Sequence, residues 1–109
     1  MLLFLVLDEV KLDYVASDIL ISQTKILKQT FQLYDEMKVK GKLKTSYAFA
    51  DYPGVVTIWD VGSTEELQQI LFLLPSMPFV NRTVKPLTEM KSLMDVIEQL
   101  ESFIESMPK

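Results

Sequence analysis

The chain has 109 residues, of which 49% are hydrophobic, and it carries a formal net charge of −4 with neither cysteine nor histidine. This length suits one domain over residues 1–109, and the missing residue types exclude disulfides, thiolate or imidazole metal sites and any catalysis that depends on a histidine base. Lys and Arg are scattered, so neither nucleic acid nor an anionic membrane is an expected partner, and a reducing cytoplasm is the simplest location.

The first element is an apolar run of strand length, residues 2–10. Both of its alternating sets are hydrophobic, which is typical of a strand buried on both faces. The run has no basic start and no cleavage site, so we expect a strand and not a signal peptide. Asp8 and Glu9, near the end of this run, are an adjacent acidic pair that we expect to be solvated.

A helix with apolar residues at three- and four-residue steps is predicted from Asp13 to Val39, and Gly41 is a suitable helix stop. Two strands, 43–52 and 55–61, follow, and Pro53-Gly54 between them predicts a hairpin turn. The order of elements so far is strand, helix and hairpin.

Ser63 followed by Glu66 has the spacing of a capping box and predicts a second helix, which runs to Leu74. A strand over residues 79–87 comes next, and Thr88 is the predicted cap of a last helix. The apolar residues of that helix are Leu93, Ile97, Leu100 and Ile104.

This order predicts an α+β fold of the ferredoxin-like βαββαβ type, with an antiparallel four-stranded sheet and an extra C-terminal helix. Helices can cover only one face of such a sheet, and the first strand is apolar on the other face too. We therefore expect a homodimer in which a second copy covers the open face. The residues expected there are Leu2, Phe4, Val6, Phe49 and Trp59.

Strand alternation also predicts a small-ligand cleft on this face, because aromatic walls with a few polar groups suit a small-molecule site. Its predicted substrate-binding residues are Tyr47, Thr57, Trp59, Asn81, Thr83 and Lys85. Arg82 falls on the helix side of the same strand, so it must reach an edge unless the register differs.

Asp51 is the candidate general base, because burial beside Tyr47 and Trp59 would favour proton abstraction. Lys85 or Arg82 could hold a substrate carboxylate, and polar groups on the strands could donate hydrogen bonds to an enolate oxygen. Each residue also has a structural interpretation: Asp51 as a solvated turn acid, Trp59 as packing in the dimer, and Lys85 as a solvated strand end.

Several distinctive segments lie between Gly41 and Leu87: Tyr52, Thr57-Ile58-Trp59-Asp60-Val61, Ser63, Glu66, Leu67, Leu74-Pro75-Ser76-Met77-Pro78-Phe79, Val84, Pro86 and Leu87. Together they resemble the muconolactone isomerase family and its uncharacterised relatives. The resemblance implies a dimeric α+β barrel, in which two ferredoxin-like sheets face each other. It also implies an enzyme that shifts a proton in a small carboxylated lactone without metal or organic cofactor.

The chain departs from this family at two positions of the last strand. Asn81 and Thr83 stand where the resemblance implies an arginine and a glutamate, so weak or absent activity on muconolactone itself is expected. Three functions follow: a cofactor-independent isomerase acting on a small lactone or carbonyl compound, a non-catalytic barrel that binds a small hydrophobic molecule or a partner, and, by analogy of fold, a cofactor-independent monooxygenase.

Overall fold

The computed structural model describes residues 2–11, 17–76 and 79–108. Within these ranges the elements are β1 (Leu2–Val10), α1 (Ser17–Val39), β2 (Leu43–Ala48), β3 (Gly54–Val61), α2 (Thr64–Leu73), β4 (Val80–Leu87) and α3 (Met90–Glu105). The predicted order of elements is confirmed. The predicted helix start at Asp13 lies outside the described residues.

The strands form one antiparallel sheet in the order β2-β3-β1-β4, so β1 is central and β4 is an edge strand. This topology confirms the ferredoxin-like prediction. Helix α1 contacts β2, and α2 contacts β3. Tyr34 of α1 and Leu67 of α2 pack in one core with Trp59 of β3, so both helices lie on the same face of the sheet. The cavities described below lie between these helices and the sheet.

Local signals set most of the boundaries. Gly41 has a positive φ of 76° and ends α1, because only glycine adopts that backbone conformation without strain. The Ser63 hydroxyl caps α2 by accepting a hydrogen bond from the Glu66 backbone N–H. The predicted cap of the last helix is wrong: Glu89 occupies the N-cap of α3, and its side chain makes no capping hydrogen bond.

The two sheet faces are exchanged relative to the prediction. In the register of the sheet Phe4 lies opposite Trp59 and Val6 lies opposite Thr57, and all four side chains are buried on the helix side. Leu2, opposite Val61, belongs to the same alternating set, so the predicted placement of Leu2, Phe4, Val6 and Trp59 on the open face is wrong. Both alternating sets of β1 are apolar, so alternation alone could not decide which set the helices cover.

The face without helices carries the other set, Leu3, Leu5, Leu7, Val56 and Ile58, which we call the open face. Each of these side chains is half-buried, and no other element covers them within the described parts of the chain. The core on the opposite side consists of Phe4, Val6, Tyr34, Leu43, Trp59, Val61, Leu67, Ile70, Leu71 and Leu74. Among the helices that the structure describes, none is long and apolar enough to cross a bilayer.

Candidate functional site

A buried ion pair joins the central strand to the edge strand. Asp8 of β1 lies directly opposite Arg82 of β4. The Arg82 Nε donates to Asp8 Oδ1 at 2.7 Å and its Nη2 donates to Asp8 Oδ2 at 3.1 Å, which is the two-pronged geometry of the strongest ion pairs. Asp8 is only 2% exposed and the Arg82 side chain 16%. Arg82 thus points to the helix side. Its charge is paired there with Asp8 and not at the edge of the sheet.

The Arg82 guanidinium has donors to spare. Its Nη1 donates to the backbone carbonyl of Leu71 at 3.3 Å, so three of its five N–H groups have a partner in the described part of the chain. The two that remain belong to Nη1 and Nη2. Guanidinium N–H groups of this kind can donate to a carboxylate or an enolate oxygen.

Arg82 lines a cavity of about 520 Å³ between α2 and the strands β1 and β4, which we call the trough. Its size lies within the range of small-molecule sites, and its walls are mostly apolar. Its lining residues are Phe4, Thr64, Leu67, Gln68, Leu71, Phe72, Val80, Arg82 and Val84.

Asp8 lines a smaller cavity of about 240 Å³ beneath α1, which we call the inner cavity. Tyr34, Thr30 and Ser76 bring buried hydroxyl groups to it, and the Thr30 hydroxyl donates to the Ile26 carbonyl at 3.0 Å. Val80 lines both cavities, and Asp8 and Arg82 line one each. The ion pair therefore stands where the trough meets the inner cavity.

The hairpin between β2 and β3 holds one wall of the inner cavity by close backbone packing. A Cβ on Gly54 would lie 2.5 Å from the carbonyl oxygen of Asp8 and 2.7 Å from the Phe49 ring. Glycine is therefore required here because the turn runs directly against the strand that carries Asp8. Phe49 itself lines the inner cavity, so its predicted place on the open face is wrong.

Tyr34 links the helix layer to this site. Its ring lies edge-on to Trp59, with ring centroids 6.0 Å apart. Burial raises the pKa of the Tyr34 hydroxyl well above its usual value; the negative charge of Asp8 raises it further and Arg82 lowers it. The hydroxyl therefore stays protonated in the folded protein, where it can donate a hydrogen bond into the cavity.

This shift predicts a loss of stability in alkali. Above a pH of about 10 the unfolded tyrosine ionises while the folded one does not, so Tyr34 makes the free energy of unfolding fall by about 1.4 kcal/mol per pH unit. Chemical denaturation at several pH values from about 9 to 11 should show a steeper fall for wild type than for Tyr34→Phe. Tyr47→Phe is the control, because Tyr47 is 68% exposed. Equal slopes for wild type and Tyr34→Phe would contradict this interpretation.

The residues predicted for substrate binding divide between the two faces. Asn81, Thr83 and Lys85 of β4 alternate with Arg82 and lie on the face without helices, opposite Glu9, Leu7 and Leu5 of β1. Tyr47 lies opposite Val56 on the same face. The structure therefore does not bring these side chains together with Arg82, and a role for them in substrate binding stays a prediction.

Thr57 and Trp59 lie on the helix side, as Arg82 does, but inside the core. The Trp59 Nε1 donates to the Thr57 hydroxyl at 2.8 Å, and that hydroxyl donates to the Val6 carbonyl at 3.4 Å. Trp59 is fully buried and Thr57 almost so. These polar groups are used within the core, and neither residue lines the trough or the inner cavity.

Asp51 is exposed in the hairpin turn, so its predicted burial beside Tyr47 and Trp59 is wrong. It follows the end of β2 and lines neither of the two cavities at the ion pair. The turn supports the simpler interpretation of Asp51 as a solvated acid that flanks Pro53-Gly54. A role as general base stays a prediction.

The sequence-based interpretation missed Asp8, which was expected to be solvated. One signal was present: Asp8 continues the alternation of Phe4 and Val6 and precedes Val10, and all four side chains are buried. An acid within a buried alternating set needs a cationic partner. As for metals, no three or more acidic side chains converge on a metal site in the described parts of the chain.

Comparisons with known proteins agree with this architecture. A family model described as muconolactone delta-isomerase matches residues 2–93. The chain is similar in structure to a muconolactone isomerase, with a TM-score of 0.65 and 20% sequence identity over 82% of this chain and 90% of that chain. It is also similar to a 5-chloro-2-hydroxyhydroquinone dehydrochlorinase from Burkholderia phenoliruptrix AC1100 in complex with 2,5-dihydroxybenzoquinone, with a TM-score of 0.57 and 13% identity over 80% and 94% of the two chains. No curated protein sequence matches the chain significantly.

Proposed function

Because the chain belongs to the muconolactone delta-isomerase family, we propose that it is a cofactor-independent isomerase that moves a proton within a small carboxylated lactone or a related carbonyl compound. The observation that carries this proposal is the buried Asp8–Arg82 pair at the junction of the trough and the inner cavity. A cation with unused donors can bind the substrate anion, and a carboxylate next to it can remove a proton.

Arg82 is the group that binds the substrate anion. Its unused Nη1 and Nη2 hydrogens can hold a carboxylate or a developing enolate oxygen in the trough. The apolar walls, which include Leu67, Leu71 and Val84, would cover the ring of the substrate. Next to these apolar walls the positive charge acts on the substrate more strongly than it would in bulk water.

Asp8 is the proposed proton acceptor. Each of its carboxylate oxygens accepts one hydrogen bond from Arg82 and has further lone-pair capacity. In the proposed step the substrate extends from Arg82 in the trough to the inner cavity that Asp8 lines. There an Asp8 oxygen takes the proton from a carbon next to the carbonyl, and the electron pair of that C–H bond moves to the carbonyl oxygen as an enolate. Arg82 faces both groups, so it stabilises the negative charge as it passes from Asp8 to the substrate. Asp8 then returns the proton to the far end of the conjugated system, and the double bond has moved.

Deuterium exchange tests this assignment, because it detects removal of the proton whichever product is formed. Proton NMR in D₂O should show that wild-type protein removes the signal of the activated C–H in at least one member of a panel of carboxylated butenolides and enolisable ketones. Asp8→Asn should slow this exchange by about 100- to 10,000-fold, the usual contribution of a positioned base. Asp51→Asn is the matched control, since Asp51 is exposed in a turn, and its exchange rate should equal that of wild type.

The opposite pattern, with exchange lost in Asp51→Asn and kept in Asp8→Asn, would move the base to the hairpin turn. Native Trp59 fluorescence in each variant verifies that the fold is intact, because Trp59 is the single tryptophan and is fully buried. If wild type exchanges no member of the panel, the second candidate function takes precedence: a protein that binds a small hydrophobic molecule in the apolar trough without transforming it.

A further inference from the structure

Helix α3 is amphipathic, but no other described part of its own chain covers its apolar side. Every residue of α3 is exposed, and α3 has no extended contact with another element in the part of the chain that the structure describes. The chain is elongated, spanning 67 Å along its longest axis against 31 and 24 Å along the others. Most of α3 also lies beyond residue 93, where the family match ends.

The apolar side of α3 is wide. At about 100° per residue its hydrophobic side chains cover about half of the helix circumference, more than the narrow seam of a two-stranded coiled coil. They are Met90, Leu93, Met94, Val96, Ile97, Leu100, Phe103 and Ile104, and each is 45–73% exposed. A stripe of this width suits a helix that packs on a sheet and a neighbouring helix at the same time.

The trough presents such a surface. Its floor is the helix side of β1 and β4, including Phe4 and Val84, and its wall is α2, whose Phe72 is 61% exposed. The lengths also agree, because a 16-residue helix is about 24 Å long and an eight-residue strand about 26 Å. Helix α3 therefore matches β4, which forms one side of the trough, in length.

The α3 of the same chain does not reach its own trough. Only Thr88 and Glu89 separate β4 from α3, and Glu89 has an extended backbone (φ −70°, ψ 146°). Among the residues that the structure describes, none fills the trough or covers α3. If two chains related by a two-fold axis each place α3 in the trough of the other, both troughs are filled and both helices are covered.

We infer that α3 of one chain packs in the trough of a second copy and forms a roof over Arg82. This goes beyond the proposed reaction and rests on the geometry of the cleft alone. Closure would bury the apolar stripe, which is unfavourable to expose, and would exclude water from the guanidinium. The site would then be complete only in the dimer.

Cysteine cross-linking tests this inference cleanly, because the natural chain has no cysteine. One preparation carries Gln68→Cys, at an exposed position of α2 on the trough, and the other carries Leu100→Cys in the apolar stripe of α3. When the two are mixed and treated with a short bis-maleimide, a covalent heterodimer should form about tenfold or more faster than in a mixture of Gln68→Cys with Ser102→Cys, because proximity raises the effective concentration. Ser102 lies on the polar side of α3. Met94→Cys, less than two turns earlier in the helix, repeats the test in case the register disfavours position 100.

Three results would overturn the inference. A Gln68→Cys/Leu100→Cys double variant that cross-links within one chain would show that α3 folds back on its own trough. Rapid cross-linking of Leu100→Cys alone would show that two α3 helices pair with each other. Rates at positions 94 and 100 equal to the rate of the Ser102→Cys control would show that α3 does not contact the trough. Turnover is not measured, so failure here leaves the proposed reaction untouched.

Discussion

Replacing Arg82 with methionine should lower the free energy of unfolding by about 3–5 kcal/mol, because removal of one partner leaves a charge buried and unpaired. Asp8 is 2% exposed and receives two hydrogen bonds from Arg82, so little water is available to solvate its carboxylate in the variant. Denaturation by urea near neutral pH measures the loss. This should be among the largest single-residue effects in the chain.

The second partner allows a double-mutant cycle. Asp8→Leu/Arg82→Met removes both charges, and its stability should lie much closer to wild type than the sum of the two single losses, since a buried ion pair and a well-packed apolar pair are often about equally stable. Lys44→Met is the matched control. Lys44 pairs with Asp60 at 3.4 Å, but its side chain is 51% exposed, so the loss should stay below about 1 kcal/mol. Equal losses of unfolding free energy in Lys44→Met and Arg82→Met would mean that the buried pair contributes no more to stability than the exposed pair.

Leu5→Lys should weaken self-association by at least about 10- to 150-fold, as follows from the leucine surface that dimer formation would bury. We propose that the protein is a homodimer whose interface includes the open face, where Leu5 of the central strand lies opposite Ile58. Complete burial of a leucine contributes about 1.5–3 kcal/mol. Leu5 is already half-buried in its own chain, so dimer formation gains about half of this per copy, and a two-fold interface contains the substitution twice. Sedimentation equilibrium or light scattering over a concentration series gives the dissociation constant.

Val39→Lys is the control for this prediction, because Val39 is 90% exposed at the end of α1 and lies away from the open face. It should leave the dissociation constant unchanged. A monomer mass for wild type at micromolar concentration would contradict the homodimer outright. An unchanged dimer in Leu5→Lys would place the interface on another surface.

The fold could be predicted from the sequence because its signals are local. The bounds of β1, the Ser63 cap and the Gly41 stop each depend on residues within a few positions of one another, and all three predictions are confirmed. Which of the two faces of the sheet packs on the helices could not be predicted in the same way. Leu5 and Val6 are equally apolar, so nothing local tells which of them faces the helices.

The site depended on contacts over long sequence separations. Asp8 and Arg82 are 74 positions apart, and their pairing follows from the β1–β4 register, which alternation does not supply. The predicted site of Asn81, Thr83 and Lys85 lies on the same strand as Arg82 but on the opposite face of the sheet. Arg82, whose position between them conflicted with that prediction, proved to be the informative residue.

The most direct test of whether the site lies in the trough compares ligand binding by Arg82→Met and Lys85→Met. Arg82 and Lys85 were both predicted to hold a substrate carboxylate, and they lie on opposite faces of β4. Titration calorimetry with a carboxylated butenolide that wild type binds should show affinity about 10- to 150-fold weaker for folded Arg82→Met, since a hydrogen bond to a charged group contributes about 1.5–3 kcal/mol. Lys85→Met should bind as wild type does. Unchanged affinity in Arg82→Met together with lost affinity in Lys85→Met would contradict the account and move the site to the open face.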